Sequence, residues 1–204
     1  MKCTLGTKLL LWKTDFLSAF SCRRKEILLH IVIASLGIAF GIYFGVKLGE
    51  KAQPFCIFAR LFRLEYSPFD EIFSEVLRFS IFALIAALSY FLPCYPLYPV
   101  FSLFFFGKHF GEIACICFLA DSFASALATL LVILLPTLIV GVGLLSWIAL
   151  HAQEFRVCNG GFIVKSALKK AAKILLSSLV IYAILLFVLH LVLCGSIYIL
   201  LVVL

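Results

Sequence analysis

Pro93-Cys94-Tyr95-Pro96-Leu97-Tyr98-Pro99 breaks the longest apolar run of a 204-residue chain, and Gly107-Lys108-His109-Phe110-Gly111-Glu112 breaks it again a few positions on. Three prolines spaced three apart cannot sit inside a regular helix without losing several backbone hydrogen bonds. A turn is therefore expected at 93–99, ending one membrane span before it, with the next starting at about residue 100. The Gly107–Glu112 island then falls near the middle of that next span. A competing layout runs the earlier span through to Phe106, makes the island a cytoplasmic turn and folds 113–150 into a hairpin at Pro136. It needs prolines within one helix and a turn of Leu134-Leu135-Pro136-Thr137-Leu138, whose backbone groups would find no partner in lipid. The proline turn is the better reading.

Outward from this stretch the whole chain is apolar. Hydrophobic residues make up 65%, charged residues 13%, 22 positions are Phe and the mean hydropathy is +1.20, more than the core of a soluble domain calls for. A spanning helix takes about 20 mostly apolar residues. The expected fold is an all-α, polytopic membrane helix bundle of about five transmembrane helices, with spans at about 27–46, 76–92, 100–120, 123–150 and 174–200. A basic segment, 1–26, precedes this single membrane domain of 27–204.

Charge sets the orientation. Residues 1–26 hold Lys2, Lys8, Lys13, Arg23, Arg24 and Lys25 against Asp15 and Glu26, and 151–173 hold Arg156, Lys165, Lys169, Lys170 and Lys173 against Glu154. The stretch 47–78 is balanced, with five basic and five acidic residues. Because Lys and Arg near span ends stay in the cytoplasm, the N-terminus and the 151–173 loop are expected inside and the 47–75 loop outside. Leu9, Trp12, Phe16 and Phe20 share one helical face, so 1–26 reads either as a short helix on the cytoplasmic leaflet or as a disordered basic leader. It lacks the apolar core and cleavage site of a signal peptide, and is expected to be retained. Ser67-Pro68-Phe69-Asp70 is a helix start, with Ser67 as cap and acidic residues in the first turn.

The residues that could carry chemistry are few. Gly37, Gly41, Gly45 and Gly49 recur every fourth position through the first span, giving a smooth strip on which another helix backbone can lie closely. Gly107 and Gly111 repeat that spacing in the island. Lys108 and Glu112, four apart, can pair along a helix and so offset part of the roughly 2.5–3.5 kcal/mol that a charge costs at the bilayer centre. Together with His109 and Asp121 they form the intramembrane polar set, readable either as an ion or proton path or as a satisfied pair that fixes one helix against another. The second reading is preferred, since transport sites draw polar groups from several spans. His30 and His190 read as hydrogen-bonded interior histidines. The eight cysteines contain no Cys-x-x-Cys pair and read as small apolar residues. No His-Glu-x-x-His, Gly-x-Ser-x-Gly or phosphate loop occurs, so no enzyme, cofactor, metal or nucleic-acid function is expected.

A basic N-terminus, a glycine-rich first span, an outer loop, and a multi-span remainder with Phe106-Gly107-Lys108-His109-Phe110-Gly111 and then Leu134-Leu135-Pro136 resemble the stage II sporulation protein M family of Gram-positive bacteria. Gly107 and Gly111 match that family's small-residue motif in a middle span, and Leu135-Pro136 its later Leu-Pro. The chain departs from it at Glu75 and Arg78, where many members carry a residue such as Asn, and in the Pro93–Pro99 series. The resemblance implies a non-enzymatic scaffold of the cell membrane that works with a peptidoglycan hydrolase and a septal protein during forespore engulfment. Its partners would be the lipid bilayer and other membrane proteins, or a second copy of itself. The alternative is a small transporter or channel subunit that uses Lys108, His109 and Glu112 as a relay.

Overall fold

The computed structural model describes residues 23–49, 68–92, 97–120, 123–158 and 165–203. The expected leaflet helix before Arg23, residues 50–67 of the expected outer loop with the cap Ser67, residues 93–96 of the expected proline turn, and Asp121 lie outside them. The elements are α1 (Arg24–Gly49), α2 (Pro68–Ala87) with a 3₁₀ turn (Leu88–Tyr90), α3 (Leu97–Ala120), α4 (Phe123–Thr129), a π-helical turn (Leu130–Leu134), α5 (Leu135–Cys158) and α6 (Lys165–Val203). Five helices are long and apolar enough to cross a membrane: Arg24–Lys47, Phe69–Tyr90, Leu97–Leu119, Ala126–Phe155 and Leu168–Val192. The protein is an all-α, multi-pass membrane bundle.

Local chemistry explains the ends. Pro68 opens α2 where its missing N–H costs nothing, and Asp70 and Glu71 complement the positive end of the helix in its first turn. α2 and its 3₁₀ turn end before the proline series and α3 starts at Leu97, with Pro99 in the first turn of α3, where a proline is tolerated. Pro136 forms no hairpin; it lies within the fourth span, just after the π-helical turn. Its ring would clash with the carbonyl four residues back in a regular helix, and widening the coil by one residue relieves that clash. The helices also run beyond their apolar stretches. The expected 151–173 loop is largely helical, with α5 reaching Cys158 and α6 starting at Lys165, because lysine and alanine are good helix formers outside the bilayer.

Direction alternates from span to span. Ser102 Oγ donates to the Phe82 carbonyl at 2.8 Å and His109 meets Arg78, so α2 and α3 are antiparallel. Phe79 stacks on Tyr182 with ring centroids 3.9 Å apart, while Glu71 and His190 line one cavity, so α2 and α6 are antiparallel too. Arg23 reaches the Leu150 carbonyl and Glu154, bringing the start of α1 to the end of α5. That end of the bundle is here the near face, and the end carrying Glu71 and His190 the far face.

The core lies where α2, α3, α5 and α6 meet. Phe79, Leu103, Phe106, Leu145, Ile148, Tyr182 and Leu186 are fully buried there. Gly141 admits the Phe106 ring, which would collide with any Cβ at that position. Large apolar residues such as Leu28, Phe73, Ile81, Ile139 and Leu176 point outward, as a lipid-facing surface requires.

Candidate functional site in the polar core

The sequence places two glycine strips in the chain, and the fold sets one against the other. α1 and α3 run parallel and make the most extensive helix–helix contact of the described structure. A Cβ at Gly37 would fall on the Phe104 carbonyl, one at Gly41 on the Lys108 carbonyl, and one at Gly45 would come within 2.7 Å of Cys115 Cβ. The contact is reciprocal: a Cβ at Gly107 would meet the Ala34 carbonyl and one at Gly111 the Ile38 carbonyl. Backbone lies on backbone along this seam, the arrangement that lets dispersion and weak hydrogen bonds join helices in lipid. Gly37, Gly41 and Gly45 are therefore covered by the chain's own α3, not left open to a partner. Gly49 is the last residue of α1.

The island sits on this seam. Lys108 Nζ and Glu112 Oε1 pair at 2.6 Å within α3, both side chains half-buried, and the Lys108 ammonium lies 5.3 Å from the Phe44 ring centroid on α1. His109 turns the other way, toward α2, with Nε2 3.2 Å from Arg78 Nη1 and 3.5 Å from Glu75 Oε1. A guanidinium only donates, so Nε2 accepts from Arg78 and the ring proton belongs on Nδ1. Arg78 also donates to Glu75 at 2.7 Å. Lys108 and Glu112 thus serve the α1–α3 seam, and His109 serves the α2–α3 interface.

Behind Glu75 is a small cavity of about 40 Å³ lined by Glu71, Glu75, Phe110, Ile113, Thr129, Ile133, Leu134, Thr137, Leu186 and His190. Polar groups from three spans converge there. Thr137 Oγ1 donates to the Ile133 carbonyl at 2.5 Å and His190 Nδ1 lies 2.8 Å from the Leu186 carbonyl. Thr129 is 1% exposed, and its Oγ1 has no hydrogen-bond partner. Sequence reading passed over Glu71, Glu75, Thr129 and Thr137 as site residues. The four-residue spacing of Glu71 and Glu75 at a helix start was a usable signal. Thr129 and Thr137 carried none, because eight positions along a regular helix leave two side chains roughly 80° apart. The π turn between them takes up that angle and puts both on the cavity wall.

Elsewhere the buried polar side chains, among them Ser89, Ser102, Ser146, Ser178 and His30, are scattered. A larger cleft of about 290 Å³ between α1 and α5 has Ser35 and Ser146 as its only polar side chains. His190 is hydrogen-bonded, as expected of an interior histidine, whereas His30 Nδ1 is buried without a partner. Among the described residues no group of three or more His, Cys, Asp and Glu side chains is arranged to hold a metal ion.

In comparisons with known proteins, no family model, curated protein or solved structure matches the chain. The fold and its site define a class, a five-span helical membrane protein with a glycine-locked helix pair and a polar pocket near one face.

Proposed function

We propose that this protein is a non-enzymatic scaffold of the cell membrane, with its N-terminus in the cytoplasm, and that it acts with a peptidoglycan hydrolase as the resemblance to the stage II sporulation protein M family implies. One observation carries the preference for a scaffold over a relay: the island's charges are spent on helix packing. Lys108 and Glu112 close on each other at 2.6 Å and His109 faces Arg78 and Glu75, so the three named relay residues point to two different interfaces. Two helices locked backbone to backbone form a rigid pair within the bundle, which suits a protein that gathers others.

The test is to recover the tagged chain from membranes and assay the eluate for peptidoglycan hydrolase by zymography. Wild-type protein is expected to bring hydrolase activity down. Gly41→Leu, which parts α1 from α3, should lose it, while Ile42→Ala on the exposed side of α1 should keep it. Equal recovery with all three, or no hydrolase with any, sinks the reading.

The transporter reading keeps one observation on its side, the convergence of polar groups from several spans at the far-face cavity. It requires a proton- or ion-dependent flux in proteoliposomes that Glu112→Gln abolishes without unfolding the protein.

A further inference from the structure

We infer that the cleft between α1 and α5 holds one anionic phospholipid of the near-face leaflet, with an acyl chain lying in the cleft and the phosphate meeting Arg24 at its mouth. The site goes beyond the scaffold reading and stands or falls separately from it.

The cleft follows from the glycine seam. Backbone packing draws α1 onto α3, and the side of α1 turned toward α5 is left with a hollow of about 290 Å³. Small residues on both walls, Ala34 and Ser35 on α1 and Gly143 and Ser146 on α5, keep it open. Ile31 and Ile139, which also line it, are exposed, so the cleft opens onto lipid. Empty space costs its walls their dispersion contacts. In a bilayer the material at hand to fill it is hydrocarbon.

The dimensions select an acyl chain over a helix. From Ile27 to Ile38 the α1 wall rises about 16 Å, close to half of the roughly 30 Å hydrocarbon thickness and so to the depth of one leaflet. Spread over that length, 290 Å³ gives a mean cross-section of about 18 Å², whereas a helix 10 Å across needs roughly 80 Å². An unbranched chain fits this space. A helix from a partner protein or a second copy does not.

Charge at the mouth selects the headgroup. Arg24 precedes Ile27 by three positions, Ile31 by seven and Ile38 by fourteen, spacings that put all four on one face of α1. It is exposed, and none of the ion pairs among the described residues uses it. Its neighbour Arg23 closes the α5 side of the mouth through the Leu150 carbonyl and Gln153, and already faces Glu26 and Glu154. Arg24 is thus the cation left for a phosphate, which the planar guanidinium suits. Lys25 points about 100° away around the helix. Basic residues beside clefts between spanning helices are a recurring way to hold anionic headgroups.

The experiment is native mass spectrometry of the purified full-length protein in detergent, titrated with phosphatidylglycerol and with phosphatidylcholine of the same acyl chains. One phosphatidylglycerol per chain is expected to be retained, about fivefold more tightly than phosphatidylcholine, the weight of roughly one basic residue near an anionic lipid. Arg24→Gln should remove that preference, while Lys25→Gln, off the cleft face, should keep it. Ser35→Leu, which fills the cleft with a good helix former, should weaken both lipids alike, and Leu36→Phe beside it should weaken neither. All four substitutions are at exposed positions, so the fold is kept. Inorganic phosphate at the same concentration should displace neither lipid. The proposal is overturned if the two lipids bind equally, if phosphate competes, or if Arg24→Gln and Lys25→Gln lower the preference alike, which would mark diffuse attraction to a basic segment. It is overturned too if Ser35→Leu leaves lipid retention unchanged or splits a dimer instead, which would give the cleft to a second copy.

Discussion

Gly41 lies against the Lys108 carbonyl so closely that there is no space for a side chain of any size between α1 and α3. Because the obstacle is backbone, no rotamer change can make room. Gly41→Ala is expected to destabilise the protein by at least about 2–3 kcal/mol, at or above the upper range of ordinary overpacking. A Cβ at Gly45 would meet Cys115 Cβ at 2.7 Å and the Glu112 carbonyl at 3.2 Å, a shallower overlap than at Gly41, so Gly45→Ala should cost less. Comparing the two variants in detergent melts checks the order, and an equal or reversed order would mean that the seam is not backbone-limited.

Lys108 and Glu112 sit on the same seam, half-buried and 2.6 Å apart. Removing one partner leaves the other charge with poor solvation, whereas removing both leaves a neutral pair of similar shape. Glu112→Gln alone should therefore cost about 1–3 kcal/mol, and Lys108→Met with Glu112→Gln should recover most of it. A double-mutant cycle on thermal stability measures the coupling directly. Additive losses in the double variant would mean that the pair does not help to hold the seam.

At the near face Arg23 joins the start of α1 to α5, reaching Glu154 at 3.4 Å and Gln153 Oε1 at 3.1 Å while also facing Glu26. Glu154 is 47% exposed in its side chain, so solvent weakens the ion pair. Arg23→Glu should cost only about 0.5–1 kcal/mol, and Arg23→Glu with Glu154→Arg should regain part of that. The gain should shrink in 1 M salt, since screening acts on exposed charges first.

The parts of this fold that were legible in the sequence depend on local spacing. The glycine period announced a close helix contact, Pro68 with Asp70 and Glu71 announced a helix start, and Lys108 with Glu112 announced a pair one turn apart. Each is a property of one helix. The partner of the glycine strip is a tertiary fact, as is the meeting of His109 with Arg78 and Glu75, and periodicity within one segment holds no information on either. The Thr129 and Thr137 wall was hidden for a different reason. Their spacing is off-face for an α-helix, and only the π turn before Pro136 corrects it.

That dependence yields the final prediction. Pro136→Ala restores a backbone donor and removes the ring clash that the π turn relieves, so the coil should close to a regular helix. The residues ahead of the turn would then rotate by roughly 90° relative to those after it, carrying Thr129 and Ala126 off the core and bringing exposed Leu127 toward it. In a background without native cysteines, Leu127→Cys should react with a membrane-permeant thiol reagent several-fold faster than Thr129→Cys, since Leu127 is exposed and Thr129 is buried. In the Pro136→Ala protein that contrast should shrink or reverse. Ile139→Cys, which lies after the turn and is 62% exposed, should keep its reactivity in both. An unchanged labelling pattern would mean that packing by Ile133 and Leu134 holds the turn open rather than the proline, and a variant with those two residues reduced to alanine would then be the one to collapse it.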